Sequence, residues 1–315
     1  DWSRAGKYQA AVSARGTEEI LKPFVEALQR LGEPYRVLDR KQSAAELGTS
    51  YYHSSVYTPR CVLMNPAALT RGLADTLPEN VTLHENSPVI SYERGNPVML
   101  KTAQGSITAP RMILAVNAFA EKFGYWKGRL LPFMAQASLT RPLTDAEHAK
   151  LGGVKPWGIT PANAFVSTTL RYTVDRRILI RYLIRYCPSQ RTPEQTPLKG
   201  HDLHKRVLES RFPELADVPF DHTWTGYVCL SRNNAPGFGK VDDNVWSAVC
   251  QNAVGVTKGT ISGLLAADLA CGVENPLIAD MQSLGTPSAL PPRPFLDIGV
   301  KLRTRYDLWQ ARHEY

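Results

Sequence analysis

Apolar positions in this 315-residue chain recur with two periods, and the switches between them divide it into blocks. Residues 7–12 alternate loosely and predict a strand. Ile20, Leu21, Phe24, Val25, Leu28 and Leu31 then fall at helical spacing, predicting a helix over 18–31 that Thr17 caps and Gly32 ends. A short strand at 35–38 and a short helix at 41–47 complete this α+β unit. Asn65-Pro66 starts another helix, through 67–77, with Asn as cap and Pro at the first helical position. Short strands follow at 81–84, 89–92, 98–101 and 106–109, separated by Asn, Gly and Pro, and a strand at 112–116 closes the series.

From about residue 129 to 232 the pattern changes to long strands, at 133–140, 165–169, 170–174, 177–186 and 222–230, with a helix at 201–212. The run over 177–186 is the clearest. Period two places Ile178, Ile180, Tyr182, Ile184 and Tyr186 on one face, with Arg177, Leu179, Arg181, Leu183 and Arg185 on the other. Further on, an apolar strand from Val245 passes through the small-residue turn Cys250-Gln-Asn-Ala-Val-Gly-Val-Thr-Lys-Gly259 into a helix over 261–271. Such a strand, turn and helix offers free backbone N–H groups and the positive end of a helix dipole at one point, which suits an electron-rich ligand. The tail from 275 is Pro-rich as far as Phe295, then amphipathic.

The net charge of +8 is dispersed in ones and twos, which fits small anions and excludes a basic nucleic-acid arm. Five cysteines without a C-x-x-C or nearby histidines indicate neither a disulfide framework nor a metal site, so a reducing, cytoplasmic setting is expected. No apolar run approaches the roughly 20 residues that cross a bilayer. There is no Gly-x-Ser-x-Gly, P-loop or H-E-x-x-H.

Taken in order, Asp1-Trp2 to Lys7, Gly48-Thr49-x-Tyr51-Tyr52, Asn65-Pro66-Ala67-Ala68-Leu69, Ser87-Pro88-Val89, Asp175-Arg176-Arg177-x-Leu179-Ile180-Arg181, Trp224–Phe238 and the 250–260 turn resemble the FAD-dependent oxidoreductases of the D-amino-acid oxidase family. The resemblance covers essentially the whole chain. It implies an α+β architecture: an α/β FAD-binding domain, incomplete, interleaved with an antiparallel-sheet substrate domain. The expected boundaries are 1–60 and 129–232 for the substrate domain, 61–128 and 233–272 for the FAD domain, and 273–315 for a wrapping tail. The implied activity is hydride transfer from the carbon bearing an amine to the flavin, followed by hydrolysis of the imine.

On this resemblance Gly255, Val256 and Thr257, with Asn252, face the flavin, Val89 contacts the adenine side, and Ala115 and Asn117 line the same cofactor. Lys258 either adds positive charge there or is solvated. Arg171 and Arg181 are either the carboxylate seat of an amine or amino-acid substrate or members of a solvated face, and Tyr52, His53, Tyr172 and Tyr227 are wall residues. Cys250 and Ala253 stand where the family usually carries glycine. The G-x-G-x-x-G turn that seats the FAD pyrophosphate in such proteins does not occur in the 315 residues. A longer polypeptide or a second chain is therefore expected to supply it, and a non-catalytic subunit that keeps the substrate sheet is the competing class.

Overall fold

The computed structural model describes residues 2–162, 168–193 and 196–314. Strands β1 (Trp2–Ser3) and β2 (Lys7–Ala11) lead into α1 (Ala14–Gly16), a π-helical turn (Thr17–Leu21) and α2 (Lys22–Arg30). The helical stretch begins earlier than the sequence pattern places it. Ser13, not Thr17, is the cap, its hydroxyl accepting from Gly16 N. β3 (Arg36–Leu38), α3 (Arg40–Leu47), β4 (Ser54–Thr58) and β5 (Leu63–Met64) follow, with α3 opened by an Asp39/Gln42 capping box. α4 (Pro66–Asp75) is capped by Asn65, whose Oδ1 accepts from Ala67 N and Ala68 N, as its sequence predicts.

Next come β6 (Ser91–Glu93), β7 (Val98–Lys101), β8 (Ser106–Ala109), β9 (Met112–Leu114) and a 3-10 helix (Asn117–Phe123). Residues 81–84 form no strand, and Val89 precedes β6 instead of belonging to it. After β10 (Leu131–Thr140) and α5 (Asp145–Lys150) the chain makes β11 (Trp157–Pro161), β12 (Thr169–Tyr172), β13 (Ile178–Tyr186), α6 (Thr196–Arg211) and β14 (Phe220–Leu230). The strand expected over 165–169 lies mostly outside the described residues. β15 (Gly237–Asp242), β16 (Val245–Val249), α7 (Gly255–Cys271), α8 (Pro276–Ser283) and α9 (Phe295–Gln310) finish the described chain.

The strands sort into an eight-stranded sheet in the order β14-β10-β13-β12-β11-β2-β4-β3, a three-stranded sheet β15-β16-β9, a three-stranded meander β6-β7-β8 and the pair β1-β5. In the large sheet the β11–β2 pairing is parallel and the others antiparallel. It therefore draws on both ends of a sequence that is interrupted by the meander. Its main core contains Tyr8, Trp157, Ile159, Leu170, Tyr172, Ile178 and Ile180, with Val207, Leu208 and Phe212 of and just beyond α6. The opposite face carries a smaller core of Ala11, Val56 and Ala162 against Leu21 and Leu28. The architecture is α+β. Among the described residues no single helix is long and apolar enough to cross a membrane.

Candidate active site

The turn after β16 is built from left-handed backbone. Cys250, Asn252 and Ala253 have φ of 59°, 51° and 63°, a region that costs L-residues with a Cβ roughly 1–2 kcal/mol each and that glycine enters freely. Side-chain amides hold it in shape. Asn252 Oδ1 accepts from Ser231 N at 2.8 Å, its Nδ2 donates to Asn234 O at 3.0 Å and Cys250 O at 3.2 Å, and Asn117 Oδ1 accepts from Cys250 N at 3.2 Å. Both asparagines thus brace the turn through their own side chains.

The braced turn delivers the chain into α7 at Gly255, six residues earlier than the hydrophobic pattern indicates, because Gly-Val-Thr-Lys-Gly reads as a loop. Val254, at the cap position, provides no side-chain bond. The N–H groups of Gly255, Val256 and Thr257 belong to the first turn of a 17-residue helix and have no intrahelical acceptor. Residues 253–257 are all exposed. These donors and the helix dipole together form an open seat for a group that carries or gains negative charge. Lys258 is half-buried, with its backbone N–H already closing the first helical bond to Val254 O at 3.1 Å.

The arginines lie on the large sheet. Arg171, on β12, stretches across Gly158 of β11: a Cβ at 158 would stand 3.1 Å from its Cδ and 3.3 Å from its Nε. Its Nη1 donates to Ile159 O at 3.0 Å and Leu170 O at 2.7 Å, which leaves the other side of the fork uncommitted to those carbonyls. Arg181, on β13, donates to the Thr169 hydroxyl. Burial lowers the pKa of Arg171, and burial followed by the charge of Arg171 pushes that of Arg181 down to about 10.

A common arginine face is not what the structure shows. Along the regular strand β10, Arg181 pairs with Ala137 and Arg185 with Met134, three residues apart, so an irregularity in β13 turns Arg181 and Arg185 to opposite faces. Arg177 is ion-paired to Asp175 and Asp221 at 3.0 and 2.8 Å. Only Arg181 of the three joins Arg171.

The aromatic wall is likewise divided. Tyr172 is 1% exposed and Tyr52 4% exposed, both in the core on the face opposite Arg171, with the Tyr172 hydroxyl 2.7 Å from His148 Nδ1. Alternation along β12 requires this for Tyr172. His53 is exposed, with Nδ1 3.2 Å from the Thr17 hydroxyl. Tyr227 is half-buried, with its hydroxyl 2.6 Å from that of Thr192 and its ring edge-on to Phe119 of the 3-10 helix. Val89 and Ala115 are exposed, the first ahead of β6 of the meander and the second just after β9 of the β15-β16-β9 sheet. Lys7 was missed by the sequence reading, although its position opposite in phase to the core residues Tyr8 and Ala10 signals the face shared with Arg171. Burial lowers the pKa of Lys7, with Cys61 acting against the shift and the charge of Arg171 adding to it.

Separate stretches of the sequence thus interleave in one large antiparallel-rich sheet, and the N-terminus of α7 is left open to solvent. The model of the FAD dependent oxidoreductase family matches residues 1–269, and the chain belongs to that family. It is 21% identical over 318 residues to the "Probable oxidoreductase OrdL" of Haemophilus influenzae, covering 97% of this chain and 70% of that protein. It is 26% identical over 246 residues to the gamma-glutamylputrescine oxidoreductase of Escherichia coli, covering 75% and 54%. Glycine oxidase from Bacillus cereus shares the fold with a TM-score of 0.72 at 18% identity, over 93% of this chain and 77% of that one.

The family cofactor is FAD. The exposed first turn of α7 fits the electron-poor ring end of that molecule, where negative charge accumulates on reduction. The residues present do not fit its pyrophosphate end, because no glycine-rich strand-to-helix turn occurs among them.

Proposed function

We propose that the chain is the larger part of an FAD-dependent oxidoreductase acting on the C–N bond of an amine or amino acid. Bound FAD supplies the acceptor for a hydride from the carbon next to nitrogen, chemistry that no side chain provides. The chain's own contribution is positioning and charge. Gly255, Val256 and Thr257 direct their N–H groups at the ring edge, and Asn117 and Asn252 keep the turn in its left-handed form. Val89 and Ala115 line the adenine side. Arg171, flanked by Arg181, takes the substrate carboxylate with the planar fork that suits bidentate binding. Oxidation yields an imine, which water hydrolyses.

The observation that carries this reading is the uncapped, solvent-open first turn of α7 at the end of a turn braced by two asparagines. The missing pyrophosphate cradle is assigned to an N-terminal segment or a second chain. Supporting this, among the described residues β9 is paired only with β16, at the edge of its sheet, and Ile113 on it is exposed, as are Val81, Leu83 and Ile90 nearby in the sequence. The test is anaerobic spectroscopy of the full-length protein. A flavin absorption band that bleaches on addition of an amino acid, and bleaches at least 100-fold more slowly in Arg171→Met, is the expected result. A colourless protein that no added FAD restores would sink the proposal.

A further inference from the structure

Lys7 of β2 and Arg171 of β12 lie on the same face of the large sheet, on the two strands that flank Gly158 of β11. Lys7 starts β2 immediately before the Tyr8–Ile159 pairing, so its neighbour on β11 is Gly158, the residue over which the Arg171 side chain lies. Nothing but hydrogen projects from Gly158, so the Arg171 side chain lies over it, with Nη1 donating to Ile159 O of β11 and Leu170 O of β12. Phe24 of α2 packs against the Lys7 ammonium at 5.2 Å from the ring centroid, and the Cys61 thiol is close enough to act on both cations. Arg181 adds a third positive charge behind Arg171. All three cationic side chains are half-buried, and no ion pair to a carboxylate is formed by Lys7 or Arg171 among the described residues. One substrate carboxylate on Arg171 leaves the Lys7 charge next to it uncompensated.

Resting on the amino-acid reading above, we propose that Lys7 is a specificity-determining residue and that the site takes amino acids carrying a second carboxylate, one group on Arg171 and the other on Lys7. A polyamine end is disfavoured there because it would bring a like charge to a cationic wall. A charge-assisted contact to a partly desolvated ammonium corresponds to roughly a ten- to hundred-fold gain in affinity.

The test uses unreactive acids on the FAD-loaded, full-length protein, so that binding is read without turnover. Succinate and butyrate have the same number of carbons and differ by one carboxylate. Calorimetry is expected to show succinate binding at least ten-fold more tightly. Lys7→Met should bring the ratio to within two-fold by weakening succinate far more than butyrate, and Lys7→Arg should keep the preference. Succinate should also slow alkylation of Cys61 by iodoacetate, read by peptide mass spectrometry, and butyrate should do so less. A native ratio below two-fold, or a ratio indifferent to Lys7→Met, overturns the proposal. Turnover of monocarboxylic amino acids with no preference for the diacid would refute this inference alone. A succinate preference without turnover of any amine would refute only the redox reading.

Discussion

Replacing Arg181 with methionine is expected to make the protein more stable and its anion site weaker. The Arg181 guanidinium is held at about 10, well below its ordinary range, first by burial and then by the charge of Arg171. The sign follows from linkage: a cation whose folded-state pKa is depressed binds its proton more tightly when unfolded. It therefore destabilises the fold at every pH below about 10, and the penalty fades only as pH rises through that value. The full shift corresponds to roughly 3 kcal/mol. Solvent reaches part of the side chain, which reduces this to about 2 kcal/mol. Loss of the Arg181 hydrogen bonds, that to the Thr169 hydroxyl among them, offsets part of this gain. Methionine keeps the aliphatic packing of the stem. Urea denaturation at pH 7 of the full-length protein reads the gain as a shift in midpoint at constant slope. The same variant should bind succinate several-fold less tightly, since one of three clustered charges is gone. A variant less stable than the parent by more than about 1 kcal/mol would show that Arg181 acts as a structural anchor and would refute the electrostatic argument.

Two further outcomes follow from other parts of the fold. Ala253, at φ 63°, should accept glycine with no loss and up to about 1 kcal/mol of gain, whereas Ala253→Val should cost about 2 kcal/mol and weaken flavin retention, both read by thermal unfolding with and without added FAD. Glu147 is held down at about 2 by a two-pronged bond to Arg141, 2.7 Å on each oxygen, and by the Thr144 cap. Its contribution is complete above the ordinary carboxylate value of 4.5 and is lost as pH falls from there through about 2, so Glu147→Gln should flatten the stability profile in that window and change little else.

The large sheet was legible only in pieces. β13 announced itself by alternation, but β4 and β11 did not, because Ser-Ser-Val-Tyr-Thr and Trp-Gly-Ile-Thr-Pro lack a clean period. Both lie in the sheet interior, where neighbours on each side supply what the local pattern lacks. The proposed carboxylate seat was half visible. Arg171 and Arg181 could be named from the sequence, whereas Lys7, more than 160 residues from Arg171, could not be linked to it before the parallel β11–β2 pairing joined the segments.

By itself the sequence determined the local grammar: the Asn65-Pro66 cap, the meander strands β7 and β8, and the apolar strand and small-residue turn before α7. Each rests on residues within a few positions of one another, so periodicity and turn chemistry suffice. Only the tertiary structure decided which side chains share a face. A one-residue irregularity in β13 separated Arg181 from Arg185, and alternation consigned Tyr172 to the core, because in a pleated sheet facing is set by register against a distant partner strand and changes sign with every residue of slip.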